Sequence, residues 1–463
     1  MKYTIPKQIP QDIFRAYDIR GIVDESLTPD TVYAIGLAIG AEAEACGQKQ
    51  LVVARDGRLS GPTLVAALIQ GLRDSGRHLI DIGVVPTPVL YFATHWLKTH
   101  SGVMLTGSHN PVNYNGLKIV LNNETLSEDK IQQLYQRVVQ GDFIWGDGTV
   151  EHKNIVSDYI ERIASDVHLS RPMKIVIDAG NGVAGGIAPL LFKRLGCEVI
   201  ELFCDVNGHF PNHHPDPSVI ENLQDIQQAV LAHKADVGLA FDGDGDRLGV
   251  VTDQGKVIWP DRQMMLFAQD VLSRHKGAEI IFDVKSTQHL PKVIEKAGGK
   301  PLMWKTGHSL LKAKMHERGA PLAGEMSGHI FFKERWYGFD DGLYVGARLL
   351  EILSRNTESS SVVFNALPDS VNTPELKLFL KEAEKAPFMQ KFIETAHFEN
   401  GTINTLDGLR VDFTDGWGLV RLSNTTPCLT LRFEGVNEDS LRRIEALFRE
   451  KLLAVDNQLQ LPF

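Results

Sequence analysis

The sequence predicts an α/β protein: three similar domains on mixed or parallel sheets, followed by a small C-terminal α+β domain. Three observations carry this. A strand-like run ending in an aspartate recurs: Leu51-Val52-Val53-Ala54 before Arg55-Asp56-Gly57, Lys174-Ile175-Val176-Ile177 before Asp178-Ala179-Gly180, and Glu279-Ile280-Ile281-Phe282 before Asp283-Val284-Lys285. Each is followed by a helix-like stretch closing at a glycine, Gly76, Gly196 or Gly298, and then by a second apolar run at His78-Leu79-Ile80, Glu198-Val199-Ile200 or Pro301-Leu302-Met303. Repeated strand, helix and strand argue for parallel α/β units. In each repeat a third apolar run then leads into a polar loop.

The elements follow in order. The segment Phe14-Arg15-Ala16-Tyr17-Asp18-Ile19-Arg20-Gly21 reads as a polar, turn-like arm ahead of the first regular element. Val103-Met104-Leu105 leads into Thr106-Gly107-Ser108-His109-Asn110-Pro111. Val237-Gly238-Leu239-Ala240-Phe241 leads into Asp242-Gly243-Asp244-Gly245-Asp246-Arg247. Pro321-Leu322-Ala323 leads into Gly324-Glu325-Met326-Ser327-Gly328-His329. Ligands of open parallel sheets bind beyond the carboxyl ends of strands. Three such loops can therefore meet if the units share a cleft. Past Leu367 the pattern changes. Leu409–Phe413 and Trp417–Leu422 flank the hairpin signal Thr414-Asp415-Gly416, Leu429–Phe433 is a third strand, and 440–453 has helical spacing. The expected domains are 1–153, 154–256, 257–368 and 369–463. Ser359-Ser360-Ser361 reads as a surface loop.

Composition narrows the function. The chain has 463 residues, 43% hydrophobic and 23% charged, which suits a globular protein with an ample core. A net charge of −10 argues against nucleic acid as the main partner. No apolar run reaches membrane-spanning length and no secretion signal is visible, so a cytoplasmic protein is expected. Cys46, Cys197, Cys204 and Cys428 have no metal-site spacing and read as reduced thiols.

The loops carry the chemistry. Ser108, at the end of a buried strand and beside His109, is placed like a nucleophile, although the hexapeptide alone also suits an ordinary polar turn. It does not fit the G-x-S-x-G template, because Asn110 stands where the second glycine belongs. Asp242, Asp244 and Asp246 alternate along an extended segment, so their carboxylates point one way. Hard oxygen donors of this kind suit Mg²⁺. An EF-hand is excluded by Arg247 at its glycine position and Asp253 at its twelfth. Gly180-x-Gly182-x-x-Gly185, with Glu198 and Glu201 downstream, makes a fair dinucleotide fingerprint and the case for a nicotinamide-dependent oxidoreductase; a tight turn explains the glycines equally well. Arg421-x-Ser423-Asn424-Thr425 offers the donors of a phosphate clamp. Lys285 and His308 fall on loops of the third unit, and His213 and His214 are not singled out. A loop serine, a Mg²⁺ site, a carboxylate–hydroxyl loop and phosphate-binding cations together suit phosphoryl transfer through a phosphoserine.

These four loops resemble, in the same order and over essentially the whole chain, the signature loops of the α-D-phosphohexomutase superfamily, in the version of its bacterial phosphomannomutase/phosphoglucomutase branch. Two positions depart from the usual pattern: Val112, where a second proline is common, and Thr426, where glutamate is common. The resemblance implies four domains around a central cleft and an enzyme phosphorylated on Ser108. One Mg²⁺ would be held by Asp242, Asp244, Asp246 and that phosphoserine. Glu325 and Ser327 would hold sugar hydroxyls, and Arg421, Ser423, Asn424 and Thr425 the non-reacting phosphate. Tyr17, Lys285 and His308 complete the expected substrate set. His109 and Arg247 would steady charge at the phosphoserine. His329, Lys118 and Arg20 are the candidates for general acid and base. The implied reaction moves phosphate between C1 and C6 of mannose or glucose phosphates through a hexose 1,6-bisphosphate, with phosphoglucosamine mutase activity as the alternative within the superfamily. Small hexose phosphates are the expected partners, with neither nucleic acid nor membrane, and the chain is expected to be a monomer.

Overall fold

The computed structural model describes residues 3–423 and 426–463. Asn424 and Thr425 lie outside the described residues. The three expected repeats are present, each centred on the strand that ends at or just before its aspartate. Gln50–Arg55 lies between Gly102–Leu105 and His78–Val84, Lys174–Asp178 between Val237–Phe241 and Glu198–Leu202, and Glu279–Asp283 between Leu322–Gly324 and Lys300–Trp304, all in parallel. The central and third strands of each unit are buried along nearly their whole length and largely apolar, whereas the outer strands Glu198–Leu202 and Lys300–Trp304 are half-exposed. Each third strand then turns back into an antiparallel fourth: Tyr114–Leu121, Leu248–Thr252 or Ile330–Phe332. The chemically loaded loops are therefore reversals within one sheet, closed at both ends by ladder hydrogen bonds.

Two expectations are corrected. The arm before residue 22 is partly a strand, because Ile19–Ile22 pairs with Tyr114–Leu121 at the sheet edge. Arg20 and Tyr17 are thereby tied to the first sheet rather than left in solvent. Ser359–Ser361 is not a surface loop: a helix, Ser360–Asn365, begins there, and Ser360 and Ser361 are buried against Asp253. Serine runs favour helix starts as readily as loops.

One apolar core, including Phe92, Phe192, Leu239, Phe282 and Leu343, runs without a break through the first three units. The C-terminal region has its own core around Leu431, Phe433 and Phe448, beneath the helix Glu438–Val455. A small cluster of Val284, Trp417 and Leu419 joins the two. Arg410 lies 4.0 Å over the Trp417 ring and donates to the Val284 and Ser286 carbonyls at 2.6 and 2.7 Å, and Arg432 donates to that of Lys285. The C-terminal region thus grips the turn that carries Lys285.

Candidate active site

The local sequence bends the Ser108 loop sharply. Ser108 has φ +48°, a left-handed conformation that costs a non-glycine residue about 1–2 kcal/mol. The loop is over-determined from below. Asp56 Oδ2 accepts from Thr106 Oγ1 at 2.8 Å and from the Gly107 amide at 3.0 Å, and Thr106 Oγ1 accepts from the Ser108 amide at 2.8 Å. Arg58 is buried, and its two terminal nitrogens donate to the carbonyls of Ser108, Asn110, Pro111 and Tyr114 at 2.8, 2.5, 2.5 and 2.9 Å. Hydrogen bonds to a charged group contribute roughly 1.5–3 kcal/mol each, so four outweigh the backbone strain. Gly107 permits this approach, since a Cβ there would lie 2.2 Å from Arg58 Nε.

Above the loop, Ser108 Oγ is 3.0 Å from Asp242 Oδ2 and 3.1 Å from His109 Nδ1. Gly243 packs so closely on the Ser108 carbonyl that a Cβ would come within 2.3 Å of it. The Asp242, Asp244 and Asp246 carboxylates are fully buried, with an oxygen of each inside a 4.8 Å cluster. Lys118 Nζ bridges Asp244 and Asp246 at 2.8 and 2.5 Å, and Thr87 Oγ1 donates to Asp244 at 2.6 Å. One oxygen of Asp244 and one of Asp246 have no hydrogen-bond partner. Orphaned buried carboxylate oxygens on an all-oxygen set are what a divalent cation would satisfy. Burial and then the charges of Asp246 and Asp244 push Asp242 well above the usual carboxylate range. Burial acts on Asp244 in the same sense, but the Lys118 ammonium and its hydrogen bond hold that group below the range. A bound dication would relieve this crowding of like charge.

The other candidates fall into two connected groups. Around Ser108, Arg20 Nη1 donates to the Gly107 carbonyl at 2.9 Å, and Arg247 Nε donates to His329 Nε2 at 3.0 Å. His329 Nδ1 faces Asp340 at 3.0 Å. Its ring stacks on that of His308, 5.3 Å between centroids, leading into the second group. His308 opens the helix His308–Arg318, and burial followed by the Lys312 charge holds it well below its ordinary pKa. Glu325 accepts from Ser327 Oγ at 2.8 Å and from the Gly307 amide at 3.0 Å. Tyr17 crosses from the first unit to donate to the Thr306 carbonyl at 2.7 Å. Lys285 Nζ pairs with Glu375 at 2.9 Å, and Arg421 Nε with Asp407 at 3.1 Å, leaving Arg421 Nη2 buried and unpartnered. Ser423 Oγ is 2.8 Å from Thr426 Oγ1.

Sequence reasoning missed Asp56, Arg58, Asp340, Glu375 and Asp407. Only Asp56 and Arg58 carry a sequence signal, their fixed place after the first strand of a repeat. The other three reach the site through tertiary contacts. The glycine fingerprint is a tight turn. The amides of Gly180, Asn181, Gly182 and Val183 are all consumed internally, by Asp178 and the carbonyls of Phe203, Ala179 and Gly243, so none is left to cradle a pyrophosphate. His214, passed over, donates through Nε2 to the His109 carbonyl, and His213 sits on Asp178.

Models of the three phosphoglucomutase/phosphomannomutase α/β/α domains match residues 11–145, 157–255 and 259–371, and that of the C-terminal domain matches 375–451. The chain belongs to the phosphoglucomutase/phosphomannomutase family. It is 56% identical over 455 residues, 98% of each chain, to a phosphomannomutase/phosphoglucomutase of Pseudomonas aeruginosa. It is 54% identical over 445 residues, 95% of this chain and 96% of the other, to a phosphoglucomutase of Neisseria meningitidis. A crystal structure of a family protein from Burkholderia thailandensis superposes with TM-score 0.94 at 52% identity, covering 98% of this chain and 100% of that one. No helix among the described residues is long and apolar enough to cross a membrane.

Proposed function

We propose that this chain is a phosphomannomutase/phosphoglucomutase. It interconverts the 1-phosphates and 6-phosphates of mannose and glucose through a phosphoserine and a hexose 1,6-bisphosphate. The observation that carries this reading is Ser108 Oγ, 3.0 Å from Asp242 Oδ2 inside a buried carboxylate cluster with unsatisfied oxygens. The work divides over four domains, 1–153, 154–256, 257–368 and 369–463, acting as a monomer.

Ser108 carries the phosphoryl group. Asp242, Asp244, Asp246 and that group would hold one Mg²⁺, which when bound neutralises charge on the transferring phosphoryl. Arg421 and Lys285, with Ser423, Asn424 and Thr425, take the substrate's own phosphate by exchanging their carboxylate partners for it. Glu325 and Ser327 receive sugar hydroxyls, with Tyr17 and His308 lining the same space. The free hydroxyl at C1 or C6 then attacks phosphorus in line. Its bond to phosphorus forms as the Ser108 Oγ–P bond breaks, and its proton passes to His329 Nε2. Lys118 and Arg20 are committed as cations, to the aspartates and the Gly107 carbonyl, whereas His329 Nε2 presents a lone pair, at present toward Arg247. Lys118, Arg247 and His109 steady the charge left on Ser108. The bisphosphate turns over in the cleft and returns its other phosphate to Ser108 by the same step reversed. Such catalysis is positioning and charge stabilisation.

Intact mass of the purified protein should show a form heavier by one phosphate that is absent in Ser108→Ala. A coupled assay should give turnover of glucose 1-phosphate and mannose 1-phosphate that chelator abolishes and Mg²⁺ restores. Phosphate on another residue would defeat the reading.

A further inference from the structure

We propose that Arg58 is a positioning residue for the Ser108 nucleophile, occupying the repeat slot that in the third unit holds the ligand-facing Lys285. This deepens the mutase reading and rests on Ser108 being the phosphoryl carrier.

The slot is defined by the repeat. In each unit the central strand ends at or beside an aspartate, and the second residue after it is Arg58, Gly180 or Lys285. The three strands occupy the same place in their sheets, between the third and second strands of the unit. Lys285 directs its ammonium away from its own loop, to Glu375 of the C-terminal region. Gly180 sends nothing. Arg58 turns back under the following loop and uses all four N–H bonds of its terminal nitrogens on the carbonyls of Ser108, Asn110, Pro111 and Tyr114.

That grip is specific to a guanidinium. The acceptors are spread over seven residues of chain, from Ser108 to Tyr114. A planar fork reaches them in pairs, whereas the donors of an ammonium radiate from one atom. Asp56 completes the arrangement: its Oδ2 lies 3.4 Å from Arg58 Nε and also receives Thr106 Oγ1 and the Gly107 amide. Phe210, from the second unit, covers the guanidinium at 5.3 Å. The charge is thus held between the loop and the neighbouring unit that carries the aspartate cluster.

The functional signature follows from what Arg58 does not touch. Apart from Tyr17, the groups placed on substrate, Glu325, Ser327, Lys285 and Arg421 among them, lie on the third and fourth domains, so most of the substrate affinity is built elsewhere. Loss of the fork lets Ser108 leave its left-handed conformation and misaligns the in-line attack. Arg58→Lys should therefore lower kcat about 100-fold, the effect of an ångström-scale misplacement. KM for glucose 1-phosphate should stay within about threefold, because uniform binding is untouched. The companion readout is hydrogen exchange of the 106–114 amides, which should quicken in Arg58→Lys by more than the accompanying fall in global stability accounts for.

Wild-type kcat in Arg58→Lys, a rise in KM alone, or unchanged exchange in 106–114 would each overturn the proposal. If Arg58→Lys does not fold, Phe210→Leu decides. A several-fold drop in kcat at constant KM supports the role, and an unchanged kcat overturns it. A wild-type protein with no mutase turnover, or phosphorylated elsewhere, defeats the mutase reading instead, and the exchange measurement then still reports on the Arg58 grip by itself.

Discussion

In the first unit the second residue after the strand-end aspartate, Arg58, is folded under the Ser108 loop; in the third its counterpart Lys285 pairs with Glu375 of the C-terminal region. Both cations are buried, yet their partners differ in kind. Arg58 is held by four carbonyls of a covalently connected loop, with the Asp56 carboxylate 3.4 Å from its Nε, and cannot be drawn off without unmaking that loop. Lys285 is satisfied by a single carboxylate from the C-terminal region, which an incoming phosphate dianion can replace. On the proposed mechanism, one repeat slot thus yields a structural cation under the nucleophile's loop and an exchangeable cation for the substrate's phosphate.

Substitutions can break that comparison, beginning with the proposed nucleophile of the first unit. Ser108→Ala should reduce kcat by roughly 10⁴-fold or more, since removing one member of a catalytic unit forfeits most of its effect. Retention of activity within tenfold in the coupled assay would end the phosphoserine account. Arg58→Lys, as set out above, comes next and should appear in kcat alone. Lys285→Met should do the converse. Its KM for either sugar phosphate should rise on the order of 10–100-fold, the worth of one charge-assisted hydrogen bond, with a smaller change in kcat. If steady-state kinetics gave the two substitutions the same signature, the contrast between the units would be lost. Glu375→Gln should act weakly and in the opposite direction, lowering KM by about two- to fivefold because a competitor for Lys285 is gone.

A last prediction separates stability from ligand binding within the third unit. Asp341 caps the helix Gly342–Arg355 by accepting from the Tyr344 amide at 2.9 Å, and Tyr159 donates to it at 2.8 Å. Burial raises its carboxyl from 3.8 to about 7. The folded chain keeps a proton there that the unfolded chain releases, so the stability this group contributes is complete below pH 4 and is lost as pH rises through 7. Urea midpoints should therefore fall between pH 4 and 7, by a few kcal/mol at most from this group, and level off above. Asp341→Asn keeps a capping oxygen and should flatten that fall while leaving KM near wild type. An unchanged slope would refute the assignment.

Much of the site was legible in advance because its chemistry sits in contiguous loops. Asp242, Asp244 and Asp246 share a face whatever surrounds them, and Thr106–Pro111 follows an apolar strand that had to be buried. Arg421 and Glu325 carried weaker signals, supplied by neighbours in the same loop. The antiparallel fourth strands, Tyr114–Leu121 and Leu248–Thr252 among them, were not read from the sequence, because residue pattern alone does not encode a strand's direction. The edge strand Ile19–Ile22 is short and half-buried, and the polar residues beside it masked it.

By itself the sequence determined the repeat, the order of the loops and the identity of the chemical groups, because periodicity, strand-end aspartates and loop composition are local properties of the chain. Tertiary structure alone decided that Ser108 meets Asp242, that Lys118 bridges Asp244 and Asp246, and that Arg58 takes the carbonyls of its own loop while Lys285 takes Glu375. Those outcomes depend on which partner each buried charge finds, and a buried charge is settled by the nearest group able to satisfy it, wherever in the chain that group lies.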